Sequence, residues 1–300
     1  MDKYYKEIKD KLIDEEVYSK AKDYSKERHK VGAYYETGKL LLEAGSKYGD
    51  SIIENYSKKL VNEVGKKYSA RTLRRMRQFY EIFSNFENWS PSGTNLNWSH
   101  YRELLPLKEH DKIRYYIKVC LENSLSKTKL HERIKNKEYE RLDDKTKERI
   151  INNDDLELID TLKNPILIKN SYNMDINNIS EKFLQMIILE DISSFMNELG
   201  EGFCFIKEEH PIRIGSRYNY IDLLLYNYLY NSFVVIELKV TEVKKEHIGQ
   251  ISVYMNYIDK HVKRTIQNKT IGIIIAKENN EFVMSYYSDP RITSRVYELI

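Results

Sequence analysis

Two β-prone apolar runs separated by a short polar segment constrain the fold of this 300-residue chain more than any other feature. The first is Tyr220-Ile221-Asp222-Leu223-Leu224-Leu225-Tyr226, and the second is Phe233-Val234-Val235-Ile236-Glu237-Leu238-Lys239. Runs of this composition bounded by Asn-rich turns read as a hairpin. A turn centred between Leu229 and Tyr230 sets Asp222 opposite Glu237. Opposed residues of an antiparallel pair point to the same side, with Cβ atoms ~5 Å apart, and the strand period of two adds Lys239 to that face. Two carboxylates and one ammonium therefore converge on a patch with strongly apolar neighbours.

Carboxylates that close repel each other, and burying either one unpaired is costly. The plain reading of such a pattern is a structural ion pair with Lys239, because charged residues are common and short motifs match by chance. The apolar packaging argues against it, since surface pairs seldom sit inside runs such as Ile221–Leu225 and Val234–Leu238. Mg²⁺ or Mn²⁺ would satisfy both groups, because hard divalent cations prefer oxygen ligands and retain waters that become nucleophiles. Lys239 would then help deprotonate such a water or neutralise charge on a phosphate.

Around the hairpin, the second half reads as a helix over 180–199, strands near 203–213, 218–226 and 232–239, a helix over 246–260 and strands near 271–276 and 281–287, with a strand-like Arg295–Ile300 at the end. That order predicts an α/β sheet and excludes an all-β sandwich. The first half reads as helices over 5–24, 30–45, 50–66, 70–84 and 108–122, broken by glycines and by a Ser90-Pro91-Ser92-Gly93 turn. The expected organisation is a helical domain over 1–150, a polar, Asn-rich linker over 151–178 and an α/β domain over 179–300.

The net charge of +3 names no partner, but its distribution does. Residues 58–77 hold eight Lys and Arg against Glu63 alone, an electrostatic footprint for a polyanion. Ser69 can cap a helix starting at Ala70, on which Leu73, Met76, Tyr80 and Phe83 share one face while Arg71, Arg74, Arg75 and Gln78 lie roughly opposite. A basic helix after a shorter one fits helix-turn-helix logic, and Arg and Gln suit guanine and adenine edges. Lys244, Lys245 and Lys277 are placed to hold a phosphate backbone near the hairpin. Trp98 and Tyr101 read as core, and His100 and His247 as hydrogen-bonded histidines without companion ligands.

Asp222, Glu237-Leu238-Lys239 and a following helix with Gln250 resemble the core of PD-(D/E)XK nucleases. The wider pattern resembles the YhcG family of that class: Phe195 to Phe203, Tyr220 to Leu224, Val234 to Lys239, Glu246 to Gln250, Ile274 to Glu278 and, in the first half, Arg75 to Tyr80 and Leu96 to Leu105. The resemblance implies a restriction-endonuclease-like α/β domain behind a helical one. It further implies metal-dependent phosphodiester hydrolysis, with Asp222 and Glu237 as metal ligands, Lys239 as the catalytic lysine and Gln250 in support. It also implies pairing into a homodimer. Two departures stand out. The family's Leu-Glu position on the first core helix falls on Leu184-Gln185, so Glu181, one turn earlier, is the candidate substitute; and the chain stops soon after residue 295, where related sequences continue.

With 41% hydrophobic residues and no run approaching the ~18 apolar residues of a spanning helix, a membrane-embedded protein is not expected. The opening residues lack a signal-peptide apolar region, and two cysteines build no disulfide framework, which points to a reducing cytoplasm. No Gly-rich phosphate loop or nucleophile turn is present. The leading expectation is a Mg²⁺-dependent DNA endonuclease. The alternative is a non-catalytic DNA-binding or scaffolding protein that retains the nuclease fold. A third expectation is a subunit that recruits protein partners in a repair or defence complex.

Overall fold

Helical spacing in the first half and strand alternation in the second divide the chain into two units, Met1–Tyr139 and Glu140–Ile300. The computed structural model describes residues 2–20, 26–49, 51–86, 89–90, 93, 95–152, 154–286 and 288–300. Among them, no helix is long and apolar enough to cross a membrane. Parts of the expected helices at 21–24 and 50, and Pro91 and Ser92 of the expected turn, lie outside the described residues.

The first unit consists of α1 (Lys3–Lys20), α2 (Lys26–Tyr48), α3 (Ile52–Glu63), α4 (Ala70–Phe83), α5 (Trp98–Leu104), α6 (His110–Glu122) and α7 (Lys127–Lys135). α4 buries Leu73, Met76, Phe79 and Phe83. Tyr80, expected on that face, is only half-buried, and Phe79 takes the central place against Trp98 and Tyr101. At the crossing of α2 and α4, a Cβ on Gly38 would stand 2.1 Å from the Met76 carbonyl oxygen, so only glycine permits this approach. His100 is a core histidine: Nδ1 accepts from the Asn97 N–H at 3.3 Å, and Nε2 bonds the Leu125 carbonyl at 2.9 Å.

The second unit holds α8 (Asp144–Asn152), β1 (Ile166–Ile168), α9 (Glu181–Glu190), α10 (Ile192–Leu199), β2 (Phe203–Ile214), β3 (Arg217–Asn227), β4 (Ser232–Glu242), α11 (Lys245–His261), β5 (Ile271–Glu278), α12 (Glu281–Ser285) and β6 (Ile292–Leu299). The strands form one sheet in the order β1-β6-β5-β4-β3-β2. β2, β3 and β4 are antiparallel neighbours, and β4, β5, β6 and β1 are parallel. Alternation along β4 explains the two cores. Val234, Ile236 and Leu238 join Leu184, Ile188 and Phe195 of α9 and α10, whereas Val235 joins Ile251, Met255 and Ile258 of α11. Glu237 and Lys239 therefore belong to the row of Val235, on the α11 side.

Three expectations are corrected. Residues 151–178 are no linker: Leu158, Leu162, Ile166 and Ile168 are buried, and β1 pairs with β6 through Ile166↔Tyr297. The stretch reads as polar because its buried apolar side chains are few and set among Asn, Asp and Lys, and the unit begins earlier, at Glu140. The single helix over 180–199 is two helices, because Asp191 caps α10 by accepting from the Ser194 N–H at 3.1 Å. The strand expected over 281–287 is the short helix α12, capped by the Asn280 side chain on the Val283 N–H at 3.0 Å; residue 287 lies outside the described residues. In that segment a local cap outweighs β-prone composition.

Candidate active site

The β3/β4 ladder runs from Leu223↔Ile236 to Asn227↔Ser232, the register that the turn position predicts. It stops at Leu223↔Ile236. Beyond that pair β3 continues only with β2, and β4 only with β5, so the sheet forks. Asp222 and Glu237 are the first residues past the fork. The groups left over there hold Asp222 at both ends. Its Oδ2 accepts from the Leu238 N–H at 2.8 Å, and its main-chain carbonyl accepts from Gln185 Nε2 at 3.0 Å. Gln185, which brings no charge, thus anchors the strand that carries Asp222.

Glu237 is 1% exposed, and neither carboxylate oxygen has a hydrogen-bond partner. Its closest cation is Lys239, whose Nζ stands 3.4 Å from Glu237 Oε2 and 3.4 Å from Glu181 Oε2. Glu181 opens α9 after the Ser180 cap, whose Oγ accepts from the Phe183 N–H at 3.1 Å, and its side chain is half exposed. Lys239 therefore bridges a buried carboxylate and a solvent-facing one.

Burial pushes the Glu237 carboxyl up to about 8, and the charge of Asp222 adds to the effect against the pull of Lys239. Burial also raises Asp222, opposed by the Leu238 N–H and Lys239. For Lys239 burial acts downward, but Glu237, Glu181 and Asp222 together hold the ammonium above its ordinary range. These are the signs of a site with an excess of negative charge, two of whose oxygens are unbonded.

The residues present fit a hard divalent cation. Such an ion commonly takes one or two protein carboxylates and completes its shell with water and phosphate oxygens, and a buried, unbonded carboxylate beside a second one offers those ligands. Among the described residues, no three His, Cys, Asp or Glu side chains form a ready-made metal cage.

The other expected residues are distributed as follows. Gln250, on α11, donates through Nε2 to Tyr254 Oη at 2.9 Å and bonds none of the three charged groups among the described residues. Lys244 and Lys245 are exposed at the start of α11, where the Lys244 N–H donates to His247 Nδ1 at 3.1 Å. Lys277 Nζ donates to Asn177 Oδ1 at 2.7 Å. In the first unit, Arg71 and Arg74 are exposed and Arg75 is half-buried; Arg74 pairs with Glu54. Gln78, exposed on α4, donates through its amide to the Leu105 carbonyl at 2.9 Å, which holds the chain after α5. Sequence spacing did not bring Arg102 of α5 onto this face, yet its charge bears on Arg75. Burial first, then Arg102 and Arg71, depress the Arg75 guanidinium.

Residues 165–296 match the YhcG PDDEXK nuclease domain, and residues 11–141 match the DUF1016 N-terminal domain. The chain belongs to the YhcG family of PD-(D/E)XK nucleases. Glu181, Gln185, Asp222, Glu237, Lys239 and Gln250 all fall inside the YhcG nuclease domain. The YhcG protein of Escherichia coli (strain K12) is 24% identical over a match that covers 83% of this chain and 76% of that one. Two solved structures are also similar: a repair endonuclease from Pyrococcus abyssi (22% identity, TM-score 0.30, 41% of this chain and 47% of that one) and EndoMS in complex with double-stranded DNA (16%, 0.29, 44% and 48%). The chain spans under half the length of either of these two.

Proposed function

We propose that this chain is a metal-dependent DNA endonuclease that hydrolyses phosphodiester bonds, with Mg²⁺ or Mn²⁺ held by Asp222 and Glu237. The observation that carries this reading is Glu237: a buried carboxylate whose oxygens make no hydrogen bond and meet only the Lys239 ammonium at 3.4 Å, while a second carboxylate adds negative charge, suits a divalent cation. A bound ion would supply a Lewis acid toward phosphate and a water of lowered pKa.

The chain's own residues do the rest. The Leu238 N–H and Gln185 fix Asp222 at its carboxylate and its carbonyl. Lys239 Nζ, 3.4 Å from both Glu237 Oε2 and Glu181 Oε2, stands where it would offset charge developing on the phosphate or help deprotonate a water. Glu181 holds Lys239 from the solvent side, and Gln250 acts through Tyr254. Arg71, Arg74 and Arg75, with Lys244 and Lys245, contact the DNA backbone.

Plasmid cleavage with Mg²⁺ or Mn²⁺ tests this. Asp222→Ala, Glu237→Ala and Lys239→Ala are each expected to lower the rate by roughly 100-fold or more; equal cutting by all four proteins overturns the assignment. Gln185 motivates a second reading, a DNA-binding scaffold without turnover, because its amide goes to the Asp222 carbonyl and adds no charge to the site. Metal titration by calorimetry separates the two. A one-site signal lost in Asp222→Asn favours the enzyme, and salt-dependent DNA binding with no metal signal favours the scaffold.

A further inference from the structure

β3 changes sides where the sheet forks. Leu223 and Leu225 lie in the core with α9 and α10, whereas Leu224 and Ile221 lie in the core with α11. A regular strand would keep Ile221 and Leu223 on one side, so β3 turns over at Asp222. β2 turns over beside it. Glu208 stands opposite Leu223 and His210 opposite Ile221, which leaves Glu209 across from Asp222. At that point Glu209 adopts a φ of 41°, in the left-handed region that favours glycine.

The turn-over brings Glu209 to the charged groups. Counted back from Leu223, Asp222 takes the α11 side, the side of Glu237 and Lys239; counted on from Glu208, which shares the side of Leu223, Glu209 takes it as well. Burial comes first among the causes that raise the Asp222 carboxyl, and the charges of Glu181 and Glu209 add to it. Of these two neighbours, Glu181 meets the Lys239 ammonium. Glu209 is exposed and has no hydrogen-bond or ion-pair partner among the described residues. Its position thus carries two costs, a backbone conformation unfavourable for glutamate and a like charge across the ladder.

A cation beside Asp222 turns the second cost into a gain. That a cation belongs there is indicated independently by Glu237, 1% exposed, whose oxygens make no hydrogen bond. α9 brings no charge through Gln185, whose amide is taken by the Asp222 carbonyl; β2 brings it through Glu209. Because no three carboxylates form a ready-made cage among the described residues, Glu209 is suited to the ion's waters, which hard divalent cations largely retain. We propose that Glu209 is a positioning residue for the divalent cation, holding it from the β2 side through its water shell rather than as a direct ligand. This inference rests on the metal-dependent reading of Asp222 and Glu237.

The test is calorimetric titration of the full chain with Mg²⁺, in the absence of DNA. Glu209→Gln is expected to weaken Mg²⁺ binding by roughly 10- to 100-fold, the usual loss for a group behind the direct ligands. Glu208→Gln, which removes the same charge one residue away, should leave the affinity unchanged. Melting in EDTA separates this role from a structural one: removal of the Glu209 charge relieves Asp222, so the metal-free Glu209→Gln protein melts no lower than wild type and gains less from added Mg²⁺. Wild-type Mg²⁺ affinity in Glu209→Gln, an equal loss in Glu208→Gln, or a melting temperature in EDTA below that of wild type overturns the role of Glu209 and leaves Asp222 and Glu237 standing. No one-site Mg²⁺ signal in the wild-type protein overturns the metal-dependent reading itself, and the role of Glu209 with it.

Discussion

The state of the proton on Glu237 governs how the metal-free protein responds to pH. Its carboxyl moves from an ordinary 4.5 to about 8 on folding, chiefly through burial and then through the charge of Asp222. The native state thus binds this proton more tightly than the unfolded chain does. The stability linked to it is full below about pH 4.5 and is lost as pH rises through about 8. Asp222, also raised by burial, acts in the same sense. In EDTA, the melting temperature of the second unit is expected to fall as pH is raised from about 5 to about 9, and Glu237→Gln should flatten that slope. Adding Mg²⁺ should raise the melting temperature more at the alkaline end than at the acid end, because metal binding needs the deprotonated ligands. A slope identical in wild type and Glu237→Gln would show that another group controls it.

At the level of elements, close approaches and short caps set the geometry. Gly38 is where α2 meets α4, and a methyl group there would collide with the Met76 carbonyl. Gly38→Ala is expected to destabilise the first unit by about 1–3 kcal/mol, the usual cost of overpacking, as read by urea denaturation; an unchanged midpoint would mean the helices slide apart freely. Most of the elements could be read from the sequence because apolar periodicity carried them. The β3/β4 register could also be read, since a one-residue slip would turn every buried side chain outward. Other features could not. β1 is three residues long, too short to show a period. The apolar pattern runs unbroken through Asp191, so only its side-chain bond to the Ser194 N–H reveals the break between α9 and α10. The composition of Glu281–Ser285 favours a strand, and the cap from Asn280 decides otherwise. At the site, charge and spacing revealed Asp222, Glu237 and Lys239, but the bond from Gln185 to a main-chain carbonyl has no sequence signature.

Over the whole molecule, near-neutral charge conceals local imbalance. Burial depresses the Arg75 guanidinium first, and the charges of Arg102 and Arg71 add to the effect against the pull of Glu103. Replacing Arg71, Arg75 and Arg102 together by alanine is expected to weaken DNA binding uniformly across sequences. It should also flatten the dependence of log affinity on log salt by about 1 for each arginine that meets a phosphate; an unaltered slope would remove this face from the interface. The second unit has a different global property. Its sheet places β1 beside β6, so Ile166 finds its partner only at Tyr297, and Arg295 reaches back to the Leu162 carbonyl at 3.3 Å and the Ile159 carbonyl at 3.1 Å. During synthesis, a chain still lacking residues 292–299 has an outer strand with nothing to pair with and a core open on that flank. Closure of this sheet therefore waits until residues 292–299 have left the ribosome and can insert between β5 and β1.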